Sequence, residues 1–357
     1  MKNFILVFLT LAVGISISSC KKHSDAPSTL TSPGTPHPPA SVGPYLYVGA
    51  LYPTGIYWKI SLSEANSKPI FDTLANAGGI TSIVASGKDV YVAGQRGGYW
   101  KNDTLIPVTG ASGIDYITLL GSTVYAAGWD IYSNSAYWAG NTEINIENTF
   151  GRSLFPYQMT STLSISGIAA SASNIFVAGS LFFENEPYSP DSAAQGNFGL
   201  LWNNGGLQLF GSGGGASFLS AVNVATVGVA VSGTDVYVAG RYPDTTFAGG
   251  YWKNGVWNPI AKGTFVPNSI VTIGANIYMP GYYYNRTNFT QQAAYWENGT
   301  LTNLGGISAT SVAVYGSDVY ILGIDNNGNN VIWKNGAVFD TLGTADTMSA
   351  TVLVVGQ

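Results

Sequence analysis

The two histidines of this sequence, His23 and His37, and its single cysteine, Cys20, all lie in a short N-terminal stretch. Everything after it lacks imidazole and thiol. That excludes Ser-His-Asp and Cys-His catalysis, His-ligated zinc, iron or copper, and thiol redox chemistry from the rest of the chain. Working groups there would have to be Asp, Glu, Tyr, Lys or Arg, and the sequence calls for no cofactor and no metal. The residues with chemical potential recur in one setting, just downstream of a repeated apolar block. They are Arg96; Trp129, Asp130 and Tyr132; Phe183 and Glu184; Arg241, Tyr242 and Asp244; Tyr282, Tyr283 and Arg286; and Asp325. Arg152 lies in a long connecting stretch, residues 147 to 165. Arginine beside aromatic groups suits sugars bearing carboxylates, or peptides, so these are ligand-binding candidates and none is assigned a catalytic role. Two carboxylates such as Glu184 and Asp130 could also serve glycoside cleavage. A carbohydrate-active hydrolase or lyase is therefore the alternative to a binding protein, and a purely structural envelope module is a third reading.

What must position these groups is the repeat itself. The block reads YLYVGA at Tyr45–Ala50, then VYVAG from Val90, VYAAG from Val124, IFVAG from Ile175, VYVAG from Val236, IYMPG from Ile277 and VYILG from Val319. A tryptophan follows each: Trp58, Trp100, Trp138, Trp202, Trp252, Trp296 and Trp333, at spacings of 42, 38, 64, 50, 44 and 37 residues. Most of these match one four-stranded propeller blade. Within a repeat, an apolar run and a tight turn precede the block. After the tryptophan, Asn-Gly pairs at Asn204, Asn254, Asn298 and Asn335 mark two-residue hairpins, because both residues accept positive φ. The expected fold is all-β, a seven-bladed β-propeller of four antiparallel strands per blade over residues 44–357. The first repeat lacks an innermost strand, and Thr351–Gly356 resembles an innermost strand with nothing after it. The two should complete one blade and close the ring, removing exposed sheet edges.

Naming the strands A to D from axis to rim, the A–B and C–D turns share one face and are short. The B–C and D–A connections share the other face and vary in length. Rigid scaffolds place recognition on such variable loops. The four arginines after residue 43 fall on the long-loop face, whereas Lys59, Lys101, Lys253 and Lys334 sit beside C–D turns. The VYVAG block followed by Tyr-Trp-Lys-Asn resembles an uncharacterised propeller repeat of exported lipoproteins from Bacteroidota-type bacteria. That resemblance covers nearly all of residues 44–357 and implies the fold and an envelope location, with no activity or site residues attached.

The N-terminus agrees with export. Lys2, an apolar run from Phe4 to Val13 and the segment Ile17-Ser18-Ser19-Cys20 read as a signal peptide over residues 1–19. The residues before Cys20 resemble the lipobox of bacterial lipoproteins, which implies cleavage before Cys20, lipidation of it and anchoring to a membrane, the outer one being expected. Residues 20–43 form a tether in which Pro27, Pro33, Pro36, Pro38 and Pro39 alternate with small polar residues. After residue 43 the chain holds 11 Lys and Arg against 18 Asp and Glu. Without a basic stripe it suits no nucleic-acid partner, which leaves a glycan or a protein. Charged residues are only 9% of the chain and aromatic residues 13%, as expected where strands are apolar on both faces because blades stack.

Overall fold

A computed structural model describes residues 43–51, 55–64, 67–74, 76–146, 159–185, 196–210, 224–241, 249–260, 265–285, 288, 290–344 and 350–356; at 72, 159–162, 183–185, 196–197, 344 and 351–353 it describes backbone only. The described strands form seven antiparallel sheets, the blades of a propeller. Blade 1 contains β1 (Tyr45–Ala50), β2 (Ile56–Ser61) and β3 (Ile70–Thr73); blade 2, β4 (Ile80–Ser86), β5 (Asp89–Gly94), β6 (Gly98–Lys101) and β7 (Thr104–Pro107). Blade 3 contains β8 (Ala111–Leu120), β9 (Thr123–Asp130), β10 (Ser135–Ala139) and β11 (Thr142–Asn145); blade 4, β12 (Met159–Ser171), β13 (Asn174–Asn185), β14 (Gly196–Asn203) and β15 (Gly206–Phe210). Blade 5 contains β16 (Ala225–Ser232), β17 (Asp235–Arg241), β18 (Gly249–Lys253) and β19 (Val256–Pro259). In blade 6 the innermost strand is split into β20 (Phe265–Pro267) and β21 (Val271–Ile273), both pairing β22 (Asn276–Asn285), with β23 (Thr290–Glu297) and β24 (Thr300–Asn303) outside. Blade 7 contains β25 (Ser308–Tyr315), β26 (Asp318–Ile324), β27 (Asn329–Lys334) and β28 (Ala337–Thr344). The last strand, β29 (Ala350–Gly356), returns to blade 1 and pairs β1, with Tyr45 opposite Gly356, Tyr47 opposite Val354 and Gly49 opposite Val352. It also packs on β25 and β4, the innermost strands of blades 7 and 2. The expected closure is thus present.

The repeat signature has a steric origin. In β4, β8, β12, β16 and β25 the pairing shifts by one residue opposite the final glycine of the block, leaving Thr81, Asp115, Ser166, Val227 and Thr310 out of register as bulges. The bulge brings the innermost backbone against the neighbouring strand, so a Cβ at Gly179 would lie 2.6 Å from the Ser164 carbonyl oxygen. One at Gly240 would lie 2.5 Å from the Ala225 carbonyl oxygen and 2.8 Å from the Trp252 ring. Glycine is required by contact and not by φ. The buried tryptophan of the third strand covers the same glycine, so the two halves of the signature form one packing unit. Hydroxyls near the bulges then stitch blades together. Thr81 Oγ1 donates to the Ile114 carbonyl oxygen at 2.7 Å, Ser135 Oγ to that of Leu163 at 2.7 Å, and Ser269 Oγ to that of Thr310 at 3.0 Å.

The tight-turn face is held by a recurring clamp. The Asn that opens the C–D turn of blades 2, 4, 5, 6 and 7 sits at positive φ, for example 48° at Asn254, and in blade 3 Gly140 takes that place at 59°. Asn254 Oδ1 accepts the Val236 backbone N–H at 2.8 Å, and its Nδ2 donates to Asp235 Oδ1 at 2.8 Å. Asp235 Oδ2 pairs Lys253 at 2.7 Å. The same set recurs as Asp89, Lys101 and Asn102 and as Asp318, Lys334 and Asn335. Hydrogen bonding from the lysine, then from the asparagine, holds all three carboxyls below their ordinary range. In blades 4 and 6 the acid is replaced by Asn174 and Asn276, which take the same asparagine hydrogen bonds at 2.8 and 2.9 Å, and the lysine position becomes Asn203 and Glu297. In these five blades lysine and aspartate are present or absent together, whereas in blade 1 Lys59 meets Tyr45 at the acid position and lies 3.9 Å from its ring centroid. Because the exposed ion pair contributes little while the asparagine carries both the left-handed turn and the hydrogen bonds, Asn254→Ala is expected to cost about 1–2 kcal/mol. Lys253→Met should leave the melting midpoint almost unmoved. Chemical denaturation of the two variants checks the contrast.

Candidate functional site

The described A–B turns each hold two residues, and so do the described C–D turns of blades 2 to 7. The opposite face carries every longer connection except the blade 1 C–D loop, residues 62–69. This is the asymmetry expected from the sequence. Several residues expected in its loops instead continue the strands. Phe183 and Glu184 belong to β13, opposite Ser161 and Thr160 of β12. Tyr282 and Tyr283 belong to β22, opposite Val266 and Phe265 on one side and Ala293 and Gln292 on the other. Both hairpins thus run beyond the block, because the pairing partners continue even though the consensus stops. The connection assigned to residues 147–165 is likewise shorter, since β12 begins at Met159. Cys20, Arg152, Tyr242, Asp244 and Arg286 lie outside the described residues, as do the side chains of Phe183 and Glu184.

The clearest grouping is at the junction of blades 2 and 3. Gly97 ends the β5–β6 turn at φ 55°, and a Cβ there would lie 2.6 Å from the Ala111 carbonyl oxygen, so this turn rests directly on the start of β8. Arg96, the residue before Gly97, is exposed, with its Cγ 3.8 Å from where a Cβ on Gly78 would lie. In blade 3, Ser112 Oγ donates to the carbonyl oxygens of Trp129 and Asp130 at 3.1 and 2.8 Å, and the Ile131 N–H donates to the Gly110 carbonyl oxygen at 2.9 Å. The loop thereby fixed presents Ile131 and Tyr132, which are 63% and 79% exposed. Asp130 itself is buried. Its Oδ1 accepts the backbone N–H groups of Tyr132 and Asn134, each at 2.8 Å, and its Oδ2 accepts Asn134 Nδ2 at 2.8 Å and Asn145 Nδ2 at 3.4 Å. Asp325 does the same in blade 7, accepting the N–H groups of Asn327 and Asn329 at 2.8 Å and Asn329 Nδ2 at 3.0 Å. Burial alone would raise both carboxyls, yet these hydrogen bonds hold them below the ordinary range. Both acids are spent on framing their own loops. The signal is an Asp with an Asn four residues on and a left-handed residue between, Ser133 at 66° and Gly328 at 80°.

Sequence reasoning passed over Asp115, the bulged residue of β8. Burial pushes its carboxyl above the ordinary range, partly offset by a hydrogen bond from the Trp129 side chain. Trp129 therefore lies half-buried beside the innermost strand and is not a free ring. Further round the ring, Arg241 closes β17 with its Nε buried and without a hydrogen-bond partner among the described residues, and Tyr282 and Tyr283 are half-buried in blade 6. The candidates therefore form a ring of separate positions around the face, with Asp115 and Trp129 paired in blade 3. Among the described residues no three His, Cys, Asp or Glu converge as a cation site would need.

No family model matches the chain, and no curated protein does. Among solved structures it is similar to the β-propeller domain of the Trilobed protease from Pyrococcus furiosus, at 10% identity and a TM-score of 0.49, covering 84% of this chain and 93% of that one. It is similar also to the computationally designed Ika8 protein, at 14% identity and a TM-score of 0.43 over 80% and 79% of the two chains. A third is a triple arginine-to-alanine mutant of AofleA from Arthrobotrys oligospora, at 12% identity and a TM-score of 0.32 over 88% and 90%.

Asp115→Asn keeps an acceptor for Trp129 and removes the buried charge. A carboxyl whose folded-state pKa is raised contributes stability that is complete below the ordinary carboxylate value and is lost as pH rises through the folded one. The unsubstituted protein should therefore melt below the Asp115→Asn variant at neutral pH and converge with it near about pH 4. Calorimetric scans across that range would show it; a gap independent of pH would contradict the assignment.

Proposed function

We propose that this chain is a non-enzymatic binding or scaffolding propeller held at the cell envelope by a lipid on Cys20, binding a glycan or protein through its long-loop face. The observation that carries this reading is the contrast between the two faces. On one, two-residue turns are locked by Asp–Asn–Lys clamps whose polar groups are mutually satisfied. On the other, framed loops hold out Arg96, Ile131 and Tyr132. Rigid loops bearing an exposed aromatic and an arginine bind with little ordering cost. The use of Asp130 and Asp325 as loop acceptors favours recognition over carboxylate catalysis on this face. The anchor reading rests on the residues before Cys20 and on the proline-rich tether, and the excess of acidic residues argues against a nucleic-acid partner.

Glycan arrays and pull-downs from envelope fractions with the full chain in detergent are the test. Once a partner is in hand, Arg96→Ala, Tyr132→Ala and Tyr283→Ala are each expected to weaken it by roughly tenfold or more, while Lys101→Ala and Lys334→Ala leave it unchanged. The opposite pattern would overturn the placement. Incorporation of labelled fatty acid should disappear in Cys20→Ser.

A further inference from the structure

A second feature lies on the rim. Between blades 5 and 6 a cavity of about 500 Å3 is lined by Tyr251, Asn258, Pro259, Ile260, Trp296 and Leu301, with Gly299 at its edge. The rings of Tyr251 and Trp296 stand 5.6 Å apart at 50°, forming an angled aromatic wall.

Equivalent seams show why space remains here. Gln208, Asn258 and Thr302 occupy the same position on the outer strands of blades 4, 5 and 6, opposite Leu201, Tyr251 and Tyr295. Each precedes a blade whose C–D turn offers a glycine: Gly255, Gly299 and Gly336. Gln208 reaches across its seam so closely that a Cβ on Gly255 would collide with Nε2, and Thr302 Cγ2 would lie 3.8 Å from a Cβ on Gly336. At Gly299 nothing comes within 4 Å. Asn258 is one methylene shorter than Gln208 and folds back, its Nδ2 donating to its own strand's Val256 carbonyl oxygen at 2.8 Å. At the seam of blades 3 and 4 the turn glycine, Gly205, is also unfilled, but there Ile144 and Leu207 pack into the core. Leu301, the equivalent of Leu207, remains 37% exposed.

We propose that this seam is a binding site for a neutral hexopyranose. The wall offers aromatic and aliphatic surface to the C–H face of a sugar ring, and the Asn258 amide and the Tyr251 hydroxyl offer polar partners to its hydroxyls, the mixture typical of small-ligand sites. No charged side chain lines the cavity, so a uronate or sialate would bury its carboxylate without a cation. The site stands on its own surface and does not depend on the long-loop reading.

The test uses the full chain in detergent, with methyl glycosides of glucose, galactose, mannose and fucose as probes, read by saturation-transfer NMR and calorimetry. At least one should bind saturably at millimolar concentration or tighter. Asn258→Gln, which copies the closed seam of blades 4 and 5, and Leu301→Trp, which fills the cavity from the other wall, should each reduce affinity at least tenfold without moving the melting midpoint. Glucuronate and N-acetylneuraminate should not compete. The proposal is overturned if no neutral glycoside binds, if both filling variants bind normally, or if binding is lost in Arg96→Ala and Tyr132→Ala instead. That last outcome would assign the sugar to the long-loop face and leave the other proposal standing.

Discussion

Ring closure through antiparallel pairing of Ala350–Gly356 with Tyr45–Ala50 is the contact on which the other blades rely. β29 supplies an apolar surface to both β25 and β4, the innermost strands of the two flanking blades. Leu46, Val48 and Val354 have no exposed surface, and burial of each such side chain is worth about 1.5–3 kcal/mol. Without β29, β1 would present an unpaired edge to the axis, and blades 7 and 2 would each lose an apolar partner. The strand is joined to blade 1 only through the whole length of the intervening chain. Closure is therefore a long-range contact whose loop entropy must be met before any of its burial is gained.

Once closed, the ring separates stiffness from recognition. The bulge in each regular innermost strand forces the glycine of the block, the glycine admits the tryptophan, and the tryptophan fills the space between blades. The Asp–Asn–Lys clamps finish the same blades at the tight-turn face. The clamps do not reach the opposite face, where connections differ in length and where Asp130 and Asp325 build local frames of their own. The seam between blades 5 and 6 shows the same logic at small scale: a single side chain one methylene shorter than its counterpart leaves room that its neighbours fill.

The blade count, strand order and closure were legible in the sequence because a repeated block, a repeated tryptophan and left-handed Asn-Gly turns are all local signals with one physical meaning each. The upper ends of the long hairpins were not. Phe183, Glu184, Tyr282 and Tyr283 follow the block with no turn residue to mark where pairing stops, and only the partner strands decide that they remain in β13 and β22. Bulges were invisible for a similar reason, since Thr81, Asp115, Ser166, Val227 and Thr310 span four residue types with no common chemistry. Asp115 was missed with them. The chemistry of Asp130 was visible as a residue type but not as a role: its neighbours Tyr132 and Asn134 donate to it because the loop folds back within five residues. Asp130–Asn134 and Asp325–Asn329 share the same spacing and the same frame.

The measurement that bears most directly on this account is thermal unfolding of the chain trimmed of residues 350–357, followed by near-ultraviolet circular dichroism against the intact protein. Loss of a single cooperative transition, with the aromatic signal collapsing well below the parent's midpoint, is the result the closed ring predicts. A trimmed protein that melts in one sharp step at the parental temperature would contradict it.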